Sequence, residues 1–196
     1  MDVDKLECRY IVFKEGDKPP LILLHGYSFK STVWREIGLL NRLEDESIPY
    51  LAIDMPYGKI SECNYKTRKV EINIRIVNKY LSREFHKDPP YILGASLGGY
   101  IALEYGIANE VRGLILVAPV WSNKPEIIRH YSVSETPILL IYGSKDKIVP
   151  LTEMKRFQRE TRNTQLLIYE DASHPAYLDY PNKFADDVVL FIKRSG

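Results

Sequence analysis

Positions 94–98 read Gly-Ala-Ser-Leu-Gly, which places a serine between two glycines with one residue on either side. The apolar run at 91–93 before it is typical of a strand, and a helix-like run begins at position 99. A Gly-x-Ser-x-Gly segment between a strand and a helix forms a sharp turn that holds the hydroxyl above a sheet. Gly94 and Gly98 supply the small neighbours that this turn needs, because strand and helix nearly touch there. The spacing therefore predicts Ser96 as a nucleophile.

A nucleophilic serine needs a base and an orienting acid, and in an architecture with this strand–serine–helix turn they usually follow it along the chain in the order Ser, Asp, His. Asp146 lies in the loop after the strand-like run 137–142, and His174 follows the strand-like run 165–169. We expect His174 to take the proton from Ser96 and later return it to the leaving group. Asp146 would hold the imidazole tautomer and stabilise the imidazolium.

Asp171 is the alternative acid, because it also precedes His174. It lies only three residues from that histidine, where an aspartate is suited to capping a turn. The other histidines have structural interpretations. His25 is expected to be a packed residue of an early loop, whereas His86 and His130 fall in polar segments and are expected to be solvated.

Two backbone N–H groups are predicted to stabilise an oxyanion. One belongs to Leu97, the residue after the nucleophile, and the other to the loop that follows an early strand. The run 21–24 is that strand, which makes Tyr27 the second donor. Gly26 is expected to permit the backbone conformation that aims the Tyr27 N–H into the site.

The remaining candidates concern substrate contacts and structure. Ser28 either offers its hydroxyl to the site or serves in the turn. Trp121 and Tyr177 either line an acyl pocket or pack on its rim. Asp54 ends a strand and is expected to make a structural hydrogen bond. Cys63 is either a reactive thiol or an incidental loop cysteine, and the second interpretation is favoured because no base is visibly paired with it.

Strand-like and helix-like segments alternate along the chain, which predicts an α/β class protein with a mostly parallel central sheet and helices on both faces. No repeat or linker interrupts this pattern, so residues 1–196 are expected to form a single domain. The strand candidates are residues 8–13, 21–24, 50–53, 91–93, 114–118, 138–142 and 166–169. The helix candidates are residues 33–44, 67–85, 97–107, 151–160 and 182–193.

The pattern as a whole resembles the α/β-hydrolase superfamily. His25-Gly26, Asp54-Met55-Pro56, the segment 94–99, Gly143-Ser144-Lys145-Asp146 and Ser173-His174 fall in that superfamily's order. Residues 34–43 and 174–181 are similar to the small capless serine hydrolases of the interacting-factor-B type. The resemblance implies an α/β-hydrolase fold in a minimal form. It also keeps open the transfer of an acyl group to a thiol or amine acceptor.

The interval 121–136 is where many such hydrolases insert a cap domain. It has room only for one short helix at 126–130, so we expect a minimal fold without a cap and with an open site. An open site suits small acyl esters, or an acyl group on a larger carrier.

Composition excludes several classes of function. The net charge of +1 indicates neither a nucleic acid nor a membrane partner, and no apolar run is long enough to cross a bilayer. The residues before position 6 do not form a secretory signal, and the two cysteines are too few for a disulfide framework. Together these observations predict a cytoplasmic protein. Abundant Tyr, Ile, Lys and Glu with only two glutamines favour a thermophilic source.

The predicted function is a carboxylesterase-like serine hydrolase that cleaves small carboxylic esters through an acyl-enzyme. No metal or organic cofactor is implied, since no ligand cluster or phosphate loop is present. The first alternative is an acyltransferase or deacylase that uses a thiol or amine acceptor. The second is a catalytically silent binding protein on a hydrolase fold. The expected partner is a small acyl ester, and the chain is expected to be a monomer or homodimer; the sequence does not identify the physiological substrate.

Overall fold

A computed structural model describes residues 3–85 and 89–195 of this chain. Within these residues seven strands alternate with eight α-helices, after a short 3-10 turn at Val3–Lys5. The strands are β1 (Tyr10–Phe13), β2 (Leu21–Leu24), β3 (Tyr50–Ile53), β4 (Tyr91–Ala95), β5 (Gly113–Val117), β6 (Ile138–Gly143) and β7 (Thr164–Tyr169). The helices are α1 (Val33–Glu36), α2 (Leu39–Asp45), α3 (Val70–Glu84), α4 (Leu97–Ala108), α5 (Pro125–Tyr131), α6 (Leu151–Glu160), α7 (Ala176–Asp179) and α8 (Pro181–Ser195).

The strands form one sheet in the order β1-β3-β2-β4-β5-β6-β7. Only β1 is antiparallel to its neighbour, and all the other pairs are parallel. Parallel strands need crossover connections, which the helices provide, so the carboxyl ends of β2, β4, β6 and β7 meet at one edge. The predicted α/β class with a mostly parallel sheet is therefore confirmed.

Hydrophobic side chains cover both faces of the sheet. On β2, Ile22 and Leu24 point into one core layer with the apolar faces of α3, α4 and α6. Leu21 and Leu23 point into the opposite layer with α1, α2 and α8. The continuous apolar runs of the central strands reflect this burial on both sides, because alternate residues of a strand face opposite ways.

The region predicted as one helix over residues 33–44 is divided into α1 and α2. Gly38 separates them with a φ of 77°, a left-handed conformation that glycine adopts without strain. Its N–H donates to the carbonyl of Arg35 at the end of α1, and its carbonyl accepts the Arg42 N–H at the start of α2. The chain thus ends one helix and begins the next within two residues, Ile37 and Gly38.

The connection between β5 and β6 is short. It contains only α5, which matches the helix expected at 126–130. No cap domain is built from this interval, so the chain has the minimal, capless form of the fold. Within the described residues, no helix is both long and apolar enough to span a membrane.

A disulfide joins Cys8 and Cys63, so both interpretations of Cys63, as a reactive thiol and as an incidental loop cysteine, were wrong. The segment before β1 runs antiparallel to the loop after β3, where the Arg9 N–H donates to Glu62 and the Asn64 N–H donates to Glu7. This pairing brings together two cysteines that are 55 positions apart in the chain. Because the two cysteines are paired in a disulfide, they no longer support the prediction of a cytoplasmic location.

Replacing Cys63 with serine is expected to lower the free energy of unfolding by about 4 kcal/mol. A cross-link over 55 residues restricts the unfolded chain, and loop-closure entropy gives roughly this value. Urea unfolding with and without a reducing agent measures the effect. Cys8→Ser should match Cys63→Ser, and reductant should destabilise the wild type alone. Equal midpoints for the oxidised wild type and both variants would contradict the prediction.

Candidate active site

The turn between β4 and α4 has the tight geometry that its glycines predict. A Cβ atom built on Gly94 would lie 2.4 Å from the carbonyl oxygen of Gly98, and one on Gly98 would lie 2.4 Å from that of Leu24. Larger residues are therefore excluded from both positions. At the apex Ser96 has φ 53° and ψ −112°, a conformation that a non-glycine residue rarely adopts.

Several features of the turn favour attack by the Ser96 hydroxyl. The residue is the N-cap of α4, so the positive end of that helix dipole lies behind it. Its backbone is fixed on both sides, because the Ser96 N–H donates to Val117 and the Ser96 carbonyl accepts the Tyr100 N–H. The side-chain hydroxyl has no hydrogen-bond partner among the described residues. It is therefore available to a substrate or a base.

His174 and Asp146 form a hydrogen-bonded pair. The distance between His174 Nδ1 and Asp146 Oδ2 is 2.7 Å, the Asp146 side chain is fully buried, and the His174 side chain is 19% exposed. The loops after β6 and β7 bring these residues together at the sheet edge that also carries Ser96. With Nδ1 directed at the carboxylate, Nε2 is the nitrogen left to act on Ser96.

The Asp146 carboxylate is stabilised in its ionised form. Burial opposes its ionisation, but the hydrogen bonds from His174 and from the N–H groups of Ile148 and Val149 outweigh burial and lower its pKa. The negative charge that an imidazolium would need is therefore present well into the acid range.

Asp171 does not reach the histidine. Its carboxylate pairs with Lys145 at 2.8 Å on the surface, where both side chains are mostly exposed. The backbone of Asp171 has φ 62°, which turns the chain between β7 and His174. The residue thus belongs to the turn, as the favoured interpretation of Asp171 held.

Ser96 and His174 line one cavity of about 270 Å³. No hydrogen bond joins their side chains in this unliganded chain, and such contacts often shorten only when a substrate binds. Apolar side chains from several elements complete the wall. The other lining residues are Gly26, Tyr27, Ser28, Phe29, Ala95, Val117, Ile148, Pro175 and Tyr177.

The structure places Ser28 and Tyr177 in the wall of this cavity. Tyr177 is only 1% exposed and packs against the rings of Phe29 and Trp34, so it forms a rigid apolar surface. Phe29 and Ile148 also line the cavity but were not among the sequence candidates. Both lie within two residues of predicted site residues, Ser28 and Asp146, which is the signal that would have found them.

Trp121 lies outside this cavity. Its φ of 57° turns the chain four residues after the end of β5, and its side chain is 54% exposed. The indole packs edge-on against Tyr100 and borders a separate groove with Lys124 and Arg156. The backbone turn, rather than the side chain's chemistry, directs it away from Ser96.

The N–H groups of Tyr27 and Leu97 have no acceptor within the described residues, whereas most buried backbone donors are paired. Leu97 is the first residue of α4, where N–H groups have no partner within the helix. The conformational role expected for Gly26 was wrong, because its φ lies outside the left-handed region. A Cβ there would make only ordinary contacts, the nearest at 3.5 Å to Phe29.

Two buried polar residues brace the loop after β2. The His25 Nε2 accepts the Met55 N–H at 2.9 Å, so Nδ1 carries the proton and donates to the Gly26 carbonyl at 2.8 Å. Asp54 accepts the N–H of Ser31 through one carboxylate oxygen and that of Glu62 through the other. These contacts give His25 and Asp54 the structural roles that the sequence predicted.

The two remaining histidines do not contribute to the cavity. His130 lies on α5 with its ring edge-on to Tyr131, at 4.7 Å between centroids. His86 lies outside the described residues. Among the residues that the structure does describe, no three His, Cys, Asp or Glu side chains are grouped so that they could hold a metal ion.

His25 makes the stability of the fold depend on pH. Complete burial lowers its pKa from 6.5 to about 4, so the unfolded chain binds a proton that the folded chain does not. Stability is full above the unfolded pKa and is lost as the pH falls towards the folded pKa. We expect a loss of about 2 kcal/mol in the free energy of unfolding between about pH 7.5 and 5.

Urea unfolding across this pH range measures the dependence. In the His25→Gln variant the amide oxygen can still accept the Met55 N–H, but no group at this position titrates. The slope of stability against pH should therefore become flatter in the variant. Parallel slopes for wild type and variant would show that His25 is not the source.

The sheet order and the strand–serine–helix turn place this chain among the α/β hydrolases. Comparison of the sequence gives the family itself. A model described as "Alpha/beta hydrolase family" matches residues 21–131, and one described as "TAP-like protein" matches residues 117–191. The chain belongs to the alpha/beta hydrolase family and is a small, capless hydrolase.

Individual relatives agree with this assignment. The chain is 28% identical over 177 residues to the Homo sapiens protein named "Putative protein-lysine deacylase ABHD14B", covering 88% of this chain and 82% of that protein. A "predicted CIB-like hydrolase" from Thermoplasma acidophilum has a TM-score of 0.86 at 25% identity, covering 98% of this chain and 95% of the other. A monoacylglycerol lipase from Paleococcus ferrophilus shares the fold with a TM-score of 0.80 at 15% identity, covering 97% and 100%.

Proposed function

We propose that this chain is a serine hydrolase that cleaves small carboxylic esters, with Ser96 as nucleophile, His174 as base and Asp146 as the orienting acid. The observation that carries the proposal is the 2.7 Å pair of His174 and Asp146 beside the strained Ser96 in one cavity. The chain order Ser, Asp, His and the loops that carry these residues support the same roles.

In the acylation step, His174 Nε2 accepts the proton of Ser96 as Oγ attacks the acyl carbonyl carbon. The N–H groups of Tyr27 and Leu97 would stabilise the resulting oxyanion, since neither is committed to another acceptor. The C–O bond to the alcohol then breaks, and the alcohol leaves with the proton from His174. Water attacks the acyl-enzyme by the same route, releasing the acid and restoring Ser96.

The shape of the site favours short acyl groups. Apolar side chains of Phe29, Val117 and Tyr177 line a cavity of about 270 Å³, which suits a compact apolar group. No cap covers its mouth, so the rest of the substrate remains in solvent. A long lipid chain would find little surface against which to bury itself.

Labelling with a fluorophosphonate probe, with the modified residue mapped by mass spectrometry, tests the proposal directly. Hydrolysis of p-nitrophenyl esters from acetyl to decanoyl measures the depth of the pocket. We expect labelling at Ser96 and a kcat/KM that falls as the acyl chain lengthens. A chain that neither labels nor hydrolyses any ester would support the catalytically silent binding protein.

A second candidate is the removal of an acyl group from a lysine side chain, which is favoured by the name of the ABHD14B relative. The uncapped mouth suits a substrate that projects from a larger surface. An amide is a harder bond to cleave, so the test compares an acetyl-lysine peptide with an acetyl ester. Turnover of the peptide, alone or only with an added thiol acceptor, would favour this second function.

A further inference from the structure

A second groove adjoins the cavity that contains Ser96. It has a volume of about 320 Å³ and is formed by residues 56–59 and 66–68. Tyr27 lines both this groove and the Ser96 cavity, so this residue lies between them. The two loops are tied together, because the Lys59 N–H donates to the Tyr27 carbonyl at 2.7 Å. We call this space the cationic groove.

Three cations and no carboxylate line the cationic groove. Within residues 3–85 and 89–195, neither Lys59 nor Arg68 forms an ion pair, although some other basic side chains near this end of the sheet do. Lys30, for example, pairs with Glu62 at 2.7 Å. Lys59 and Arg68 therefore keep their hydrogen-bond donors and their charge for a ligand.

Arg68 is held in position by Tyr27. The guanidinium carbon lies 4.6 Å from the centre of the tyrosine ring, in a cation–π contact. A guanidinium stacked in this way keeps its edge free to bind the two oxygens of a carboxylate or phosphate. The contact also links the groove to the residue whose N–H is the proposed oxyanion donor.

Lys66 carries a positive charge but has no hydrogen-bond donor left for a ligand. Its ammonium donates to the carbonyls of Gly58 and Ser61 and to the Ser61 hydroxyl, which uses all three donors. No carboxylate contacts this ammonium, but the buried Asp54 carboxylate keeps its negative charge while it accepts two backbone N–H groups, and it is near enough to favour the charged form of Lys66. Lys66 therefore shapes the loop, and its charge is partly balanced by Asp54.

We propose that the cationic groove binds an anionic group in the alcohol portion of the ester, a carboxylate or a phosphate, through Lys59 and Arg68. The acyl group fills the apolar cavity, where a charge would lose its hydration without compensation. The charged end would then lie on the far side of Tyr27, in the open cationic groove, where Lys59 and Arg68 can contact it while it remains in contact with solvent. This inference rests on the proposed ester hydrolysis and adds a class of substrate to it.

A matched pair of acetyl esters tests the inference. 4-Carboxyphenyl acetate carries an anionic leaving group, and 4-carbamoylphenyl acetate is its neutral counterpart of nearly the same shape. The Lys59→Gln/Arg68→Gln variant should lose about 10-fold in kcat/KM for the anionic ester and little for the neutral one, because the interaction is charge-assisted but exposed. The preference of the wild type for the anionic over the neutral ester should also become smaller when the salt concentration is raised from about 0.01 M to about 1 M.

Lys124→Gln/Arg129→Gln is the matched control, because it removes the same charge on the opposite side of the site. A loss of anionic preference in this control, or no loss in the Lys59→Gln/Arg68→Gln variant, would overturn the inference. 4-Acetoxyphenyl phosphate, compared in the same way, distinguishes phosphate from carboxylate as the preferred group.

A binding measurement separates this inference from the proposed function. NMR titration measures how tightly the Ser96→Ala variant binds 4-carboxyphenyl acetate and 4-carbamoylphenyl acetate. The same titration is repeated with Lys59 and Arg68 both replaced by Gln. Tighter binding of the acid that needs both cations supports the groove even if no ester is turned over. If the neutral ester is hydrolysed but the charge of the ester affects neither kcat/KM nor binding, the inference about the cationic groove is overturned. The proposed ester hydrolysis is then unaffected.

Discussion

The Ser96→Ala variant is expected to lose about 10⁶-fold in kcat for ester hydrolysis. Without the hydroxyl no acyl-enzyme forms, and only substrate positioning and the N–H donors remain to assist direct attack by water. The variant keeps the same Cβ, so the backbone strain at φ 53° is the same in both proteins. Steady-state hydrolysis of p-nitrophenyl acetate, with fluorophosphonate labelling as a check for residual wild type, measures the loss.

Ser28→Ala is the informative comparison, because Ser28 offers another hydroxyl to the same cavity. It lies on the loop after β2, with no bond to the His174–Asp146 pair. We expect less than about 10-fold loss from this change, since it removes at most one substrate contact. A large loss in Ser28→Ala with activity retained in Ser96→Ala would refute the assignment of the nucleophile.

Asp146→Asn has the second-largest expected effect, about 10⁴-fold in kcat. The asparagine oxygen can still accept the N–H groups of Ile148 and Val149, so the loop should keep its conformation. Its amide nitrogen would then face His174 and favour the tautomer that carries the proton on Nε2. A protonated Nε2 cannot accept the Ser96 proton, and no negative charge remains to stabilise an imidazolium.

Asp171→Asn removes the same charge from the other acid near His174. Asp171 pairs with Lys145 on the surface, so we expect the kcat of the Asp171→Asn variant to stay within about 2-fold of wild type. Thermal unfolding of both variants shows whether the fold is retained. If Asp171→Asn lost activity and Asp146→Asn did not, the acid would be misassigned.

Much of the fold could be predicted because it is encoded by local patterns. The continuous apolar run of β2 is required by burial on both faces, and the turn at 94–98 carries its own steric requirement in Gly94 and Gly98. The division of the predicted 33–44 helix was missed, since a glycine inside a helical pattern is tolerated as often as it interrupts. The α2 helix packs against α8, which is far away in the sequence, so this contact is visible only in the tertiary structure.

The candidate site, like the fold, could be predicted only in part from the sequence. The sequence alone placed Ser96, Asp146 and His174 on loops that follow strands, and parallel topology then brings the ends of those strands to one edge. It did not reveal that Trp121 turns away from the cavity, because that depends on a positive φ in the backbone. Nor did it reveal which loop residues approach closely enough to line the wall.

The nucleophile turn, the order of the catalytic candidates and the alternation of strands and helices were determined by the sequence, because each depends on residues close together in the chain. The Cys8–Cys63 disulfide, the bracing of the loop after β2 by His25 and Asp54, and the cationic groove were decided only by tertiary structure. Each of these joins segments that are distant in the sequence. Their proximity is set by the register of the sheet, which no local pattern encodes.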